Sequence, residues 1–215
     1  MLCVSAAPCD IDSNRVPFYL IGDSHVLTHA WRNMTVGGQA AYAVPKLVTG
    51  LKAWHMREGF EFLTTANLEM CLESIPKGSG GSRGRALFVC GEIDCREGLP
   101  NALAKNKYES IQQAVAATVE HYIAGLKRLE TKHSIQFLVL SITPPTNPQY
   151  KLRVQATKLF NAALNKQLGK RFIDISETVS SVEGLLKPEY NCDGTHMNRK
   201  AAMLVEERIN AAWEA

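Results

Sequence analysis

The sequence predicts an α/β protein, a three-layer α/β/α sandwich built on a mostly parallel sheet. Three observations carry that expectation. Short apolar runs closed by glycine or proline alternate with longer stretches of helical periodicity. Hydrophobic residues make up 46% of the chain and charged residues 21%, a globular composition that excludes disorder as the main state. At 215 residues the chain can bury a sizeable core as one domain. Alternating strands and helices favour parallel strands covered on both faces. Right-handed crossovers then place helices on both sides.

The elements follow in order. Residues 1–16 read as an N-terminal extension, and 17–215 as the domain. Pro17–Ile21 is a short apolar run ended by Gly22, which suits a buried strand. Met34–Val36, before Gly37 and Gly38, reads as a short edge strand, and Val44–Leu72 as mainly helical. The run 77–84 is rich in Gly and Ser and reads as a flexible surface loop. It precedes a strand and lacks the Gly-Lys-Ser/Thr ending of a phosphate cradle. Arg85–Cys90, Ile135–Ser141 and Arg171–Ile175 read as further strands. Between 108 and 131, Ile111, Val115, Val119, Tyr122, Leu126 and Leu129 recur at steps of three and four, one apolar stripe on a long helix. A second helix spans Tyr150–Leu168, with Gly169 placed as a C-terminal cap. The last covers Asn198–Trp213.

Charge and targeting features narrow the function classes. There are 24 Lys and Arg against 21 Asp and Glu, a net +3 spread along the chain. That is no polyanion footprint, so nucleic acid is not an expected partner. No run is long and apolar enough to span a membrane. The segment Met1–Arg15 lacks a basic stretch followed by an apolar one, so it does not read as a secretory signal. The six cysteines, at positions 3, 9, 71, 90, 95 and 192, contain no C-x-x-C pair. Together these features favour a cytoplasmic protein with reduced, partly buried thiols. The reading assigns no metal and no cofactor.

Ligands of open parallel sheets bind beyond the carboxyl ends of the strands. Gly22-Asp23-Ser24-His25 and Gly91-Glu92-Ile93-Asp94 each follow a strand, so they fall on one rim. A serine at a strand-to-helix turn is exposed, with its own N–H turned to the site. Its plainer reading is a helix N-cap. A hydroxyl needs a base to attack at neutral pH. His196 can supply it, with Asp193 three residues earlier to fix the tautomer. The plainer reading makes Asp193 a turn former before Gly194. His25 and His29 stand four apart; His25 is read as a pocket-lining, substrate-binding residue. Glu92 and Asp94 would serve a glycosidase only if their side chains converged, and alternation along a strand would part them. Thr143–Pro148, after the third long strand, reads as either a pocket wall or a rigid connector.

Gly-Asp-Ser after the first strand, Gly-x-x-Asp after a central strand and Asp-x-x-His before the last helix occur in one order. This resembles the SGNH/GDSL hydrolase superfamily, from about Phe18 to Ile209. The blocks Gly-Asp-Ser-His and Gly-Glu-Ile-Asp-Cys-Arg resemble a divergent branch of it. The resemblance implies a flavodoxin-like sandwich and hydrolysis of a small acyl ester, on a carbohydrate or lipid, through an acyl-serine. It implies Ser24 as nucleophile, with Asp193 and His196 as its partners. It implies oxyanion donors at the N–H of Ser24 and of one of Gly37 and Gly38, with Gly38 favoured; Gly91 is a further oxyanion candidate. One departure stands out. Ile93 occupies the place of the family's asparagine, whose amide holds the oxyanion, and losing such a donor costs about 10²–10³ in turnover. Arg96, with five N–H donors, can hold an oxyanion or a substrate carboxylate, or simply pair with Glu92, Asp94 or Glu97. Glu92, Asp94 and Arg96 are grouped with His25 as substrate-binding candidates. A non-hydrolytic binding module and an acyltransferase are the rival readings.

Overall fold

The computed structural model describes residues 14–76 and 84–213. Most of the expected extension, the loop 77–83 and Cys3 and Cys9 therefore lie outside the described residues. Strand β1 (Val16–Gly22) runs parallel to β3 (Gln39–Leu47) on one side and to β4 (Gly84–Val89) on the other. Beyond β4 come β5 (Ile135–Leu140) and the short β6 (Phe172–Ile173), both parallel. Strand β2 (Asn33–Val36) pairs antiparallel with β3, giving the order β2-β3-β1-β4-β5-β6. Without β2, that is the doubly wound order of flavodoxin-like sheets.

The strands bury both faces, as their continuous apolar runs require. Leu20, Leu87, Leu138 and Leu140 point to one side, where α5 (Ser176–Val179) and α6 (Arg199–Trp213) pack through Val179, Ala201, Val205 and Ile209. Ile21, Phe88, Phe137 and Val139 point to the other. That face is covered by α1 (Leu63–Glu73), α2 (Leu99–Ala104), α3 (Ile111–His133) and α4 (Lys151–Leu168). Ser110 caps α3 by accepting a hydrogen bond from the Gln113 N–H at 3.2 Å, which fixes where the long helix starts. Among the described residues no helix is long and apolar enough to cross a membrane. Cys90 and Cys95 are buried as free thiols.

One stretch departs from the sequence reading. The expected helix over Val44–Leu72 is instead the end of β3, a turn and a short 3₁₀ segment (Ala53–Met56), with α1 only from Leu63. Within β3, Pro45 has no N–H for a ladder. The outer partner of β3 extends only as far as Tyr42 in register, with backbone bonds from Trp31 and to Arg32 at Ala43. From Val44 onward β3 is an edge, and proline costs nothing on its outer side.

Candidate active site

The chain reverses direction sharply at the carboxyl end of β1. Gly22 has φ 152°, and a Cβ there would sit 1.8 Å from the carbonyl oxygen of Val89. Only glycine lets β1 close against β4 at this point. Asp23 then donates its N–H to Val89 O at 3.1 Å and accepts the His25 N–H on its carboxylate at 3.0 Å. Asp23, not Ser24, is thus the N-cap of the short 3₁₀ turn Ser24–Thr28. The Ser24 side chain is left free to face the rim. Burial raises the Asp23 carboxyl above the ordinary aspartate range, and the His25 ring and N–H only partly offset this.

The second half of the site is a tight loop before α6. Asp193 uses one carboxylate oxygen to accept the N–H groups of Thr195 at 3.0 Å and His196 at 2.8 Å. The other oxygen accepts His196 Nδ1 at 2.8 Å. One carboxylate thus closes the turn and bonds the ring at once. Burial raises this carboxyl, but the hydrogen bonds from His196 and Thr195 outweigh it and bring the pKa down to about 2. Gly194, at φ 90°, makes the turn, and Thr146 Oγ1 donates to its carbonyl at 2.7 Å. Thr28 Oγ1 bonds the Met197 carbonyl at 2.9 Å, tying this loop to the segment after β1.

The two halves meet. His196 Nε2 lies 2.9 Å from Ser24 Oγ, across 172 residues of sequence. The carboxylate fixes the proton on Nδ1, so Nε2 is the acceptor for the serine hydroxyl. Beneath the pair, His25 is buried with Nδ1 3.1 Å from Thr143 Oγ1. Its Nε2 stands 3.7 Å from Glu92, beyond hydrogen-bond length but within reach of charge. The Thr143–Pro148 segment is more than a connector: Thr143 holds His25 and Thr146 holds the His196 loop.

The helix after β4 explains the remaining candidates. It begins at Glu92 and contains a π turn, Asp94–Gly98, before α2. Glu92 and Asp94 diverge because they stand two residues apart on this helix, rather than by strand alternation. Glu92 faces inward to Arg96 Nε at 3.0 Å and Arg153 Nη2 at 2.7 Å. Burial would raise its carboxyl, but the His25 ring and the two guanidiniums hold it below the usual range. Asp94 faces the other way. Both its oxygens are taken by the N–H groups of Ala53 at 2.7 Å and Trp54 at 3.1 Å. It is a buried anchor for the 3₁₀ segment, which corrects its assignment to the substrate. Burial raises its pKa to about 6 despite those two N–H donors. Arg96 pairs with Glu92 and with Glu97 at 2.6 Å, the plainer of its two readings.

The oxyanion candidates divide. Gly91, at φ 121°, follows β4 on the rim, where a Cβ would lie 2.2 Å from Ile142 Cδ1. Gly38 does not belong there. Gly37 and Gly38 make the turn joining β2 to the amino-terminal end of β3, the sheet edge opposite Ser24, and Gly37 donates to Asn210 Oδ1. The glycine that follows β3 on the Ser24 rim is Gly50. It follows the carboxyl end of β3 with φ 75°, in a turn closed by Leu51 N–H on Val48 O. Val48 N–H in turn bonds Gly22 O at 2.7 Å, beside the residues that lead to Ser24. A glycine just past a strand was the available signal, hidden by reading that strand as helix. His29, four residues after His25, is buried with neither ring nitrogen hydrogen-bonded.

The doubly wound α/β/α sandwich has the fold of SGNH/GDSL hydrolases. The chain is similar in structure to a lipase from a goat rumen metagenome, with a TM-score of 0.58 at 16% identity, over 92% of this chain and 97% of that one. It is similar to the OSK domain of Drosophila Oskar, with a TM-score of 0.54 at 14% identity, over 96% and 94%. A GDSL-like lipase from Bacteroides thetaiotaomicron gives 0.51 at 15% identity, over 92% and 87%. No family model matches the sequence, and no curated protein does.

Proposed function

We propose that the chain is a serine esterase acting on a small acyl ester, on a carbohydrate or lipid, in the cytoplasm. The observation that carries the reading is the continuous path Ser24 Oγ to His196 Nε2 at 2.9 Å and His196 Nδ1 to Asp193 at 2.8 Å. Ser24 Oγ attacks the ester carbonyl carbon while its proton passes to His196 Nε2. The carbonyl electrons move to oxygen, giving a tetrahedral oxyanion. Collapse expels the alcohol, which takes the proton from His196 and leaves an acyl-serine. Water, deprotonated by the same imidazole, releases the acid and restores Ser24. Asp193 holds the ring and stabilises its cationic form. The N–H groups of Ser24, Gly50 and Gly91 are the candidate oxyanion donors, since all three follow strands on one rim. His25 serves as the buried floor of the site.

One observation favours a second reading. Ile93 brings no hydrogen-bond donor to the first turn after Gly91, which suits a binding module that keeps the fold without efficient turnover. A fluorophosphonate probe and a short aryl ester, applied to wild type and Ser24→Ala, decide between them. Labelling and turnover that both require Ser24 support the esterase. A folded protein with neither supports the binding module. Turnover that rises with added acceptor alcohol marks an acyltransferase.

A further inference from the structure

The groove beside the His196 loop holds charge that the proposed ester chemistry leaves unused. Arg96 and Glu97 from the π turn, Lys151 and Arg153 from the first turn of α4, and Gly194 and Thr195 from the His196 loop line about 630 Å³. Gly194 and Thr195 lie between Asp193 and His196 in the chain, so the groove borders the loop that carries the base.

Two guanidiniums of this lining reach inward to one oxygen of Glu92, Arg96 Nε at 3.0 Å and Arg153 Nη2 at 2.7 Å from Oε1. Arg153 is only 7% exposed, and its Nε has no hydrogen-bond partner. Arg96 spends a second arm on Glu97 at the surface. Arg96, Lys151 and Arg153 against Glu92 and Glu97 leave one positive charge in excess. The amino terminus of α4 adds to it. This helix of 18 residues starts with no side-chain cap and no acid in its first turn, so its dipole and first N–H groups are offered to the same groove. A buried, planar, always-charged fork is the group that recognises carboxylates and phosphates.

We propose that this groove receives a carboxylate or phosphate carried by the substrate, so that the esters taken by Ser24 are anionic. Arg96 and Arg153 hold the anion and Lys151 stands at the mouth. The inference rests on the esterase reading for the word ester, but the anion site is separable from it by experiment.

The test has two arms. Binding is measured on Ser24→Ala by ligand-observed NMR, comparing phenyl acetate with 4-acetoxybenzoate, 4-acetoxyphenyl phosphate and monophenyl adipate. Turnover of the same esters is measured on the wild type. The expected result is at least one anionic ester bound roughly tenfold tighter than phenyl acetate at low salt, the gap narrowing as salt rises. Arg96→Gln and Arg153→Gln, each in the Ser24→Ala background, should cut that gap at least about threefold. A merely structural role would weaken all four ligands alike. Arg153→Gln alters a buried residue, so the half-exposed Arg96→Gln carries the test if the former does not fold. Equal affinity for charged and neutral esters, or a gap untouched by Arg96→Gln, overturns the proposal. A retained gap with no Ser24-dependent turnover keeps the anion site and rejects the esterase. Turnover without charge preference does the reverse. The phosphate and carboxylate ligands compared with each other identify the anion.

Discussion

The ring of His25 lies under the ring of His196, with centroids 4.7 Å apart and planes tilted by 43°. The residue next to the serine is therefore the floor on which the base rests. Thr143 fixes that floor through Nδ1. An imidazole that can tilt loses its alignment with Ser24, and a misplacement of about 1 Å can cost 10²-fold in rate. His25→Ala should lower kcat by about 10- to 100-fold with little change in KM. Steady-state kinetics on a short aryl ester checks this; a change confined to KM would make His25 a substrate contact instead.

Asp193 is largely exposed, yet its carboxylate serves two turn N–H groups and the imidazole at once. Asp193→Asn keeps an acceptor for the turn but no longer enforces the proton on Nδ1. The expected loss in kcat is about 10³ or more, with a smaller drop in melting temperature than Asp193→Ala causes. Asp193→Ala should lower both. Kinetics and thermal melting on the two variants separate the roles.

Gly22→Ala places a Cβ against a backbone carbonyl of β4, which cannot swing aside. It should destabilise by more than about 3 kcal/mol or prevent folding. At Gly91 the obstacle is the flexible end of Ile142, though the left-handed backbone adds strain. Gly91→Ala should cost about 1–3 kcal/mol and be partly relieved by Ile142→Val. Denaturant titration of the three variants checks the order.

Stability should depend on pH through two buried groups of opposite sign. Burial, then the charges of Arg32 and His25, push His29 down to about 3. Between pH 6.5 and 3 the unfolded chain binds a proton that the native state refuses. Stability from His29 is therefore complete above pH 6.5 and falls on acidification by about 1.4 kcal/mol per pH unit. Asp94, raised to about 6, does the opposite: between pH 6 and 4 the native state holds the extra proton, so acidification stabilises. Unfolding curves from pH 7 to 4.5 should show a shallower acid loss, or a gain, in His29→Phe.

Asp94→Ala should leave the Ala53 and Trp54 N–H groups without acceptors in a buried setting, at a cost of about 1–3 kcal/mol. The remaining turnover should keep the same relative kcat/KM across neutral and charged esters. A change in that ratio would return Asp94 to the substrate.

Where a strand carries an unbroken apolar run, as in Leu20–Ile21, Leu87–Phe88 and Leu138–Val139, local pattern is enough to place the element and its burial on both faces. The same is true of α3, α4 and α6, whose apolar stripes repeat over several turns. It also placed Ser24, Gly91 and Glu92 on one rim, because residues just past parallel strands share an edge. That β3 is a strand came from packing, since its alanines and Pro45 make sense only beside β1 with a half-open outer edge. That one element moved Gly38 to the far edge of the sheet and brought Gly50 to the near one. The 2.9 Å approach of Ser24 to His196, the turning of Asp94 away from the site and the convergence of Arg96 and Arg153 on Glu92 likewise join distant segments. Local pattern reports which face of an element is apolar; the distance between two side chains depends on how whole elements pack, and that is a property of the assembled chain.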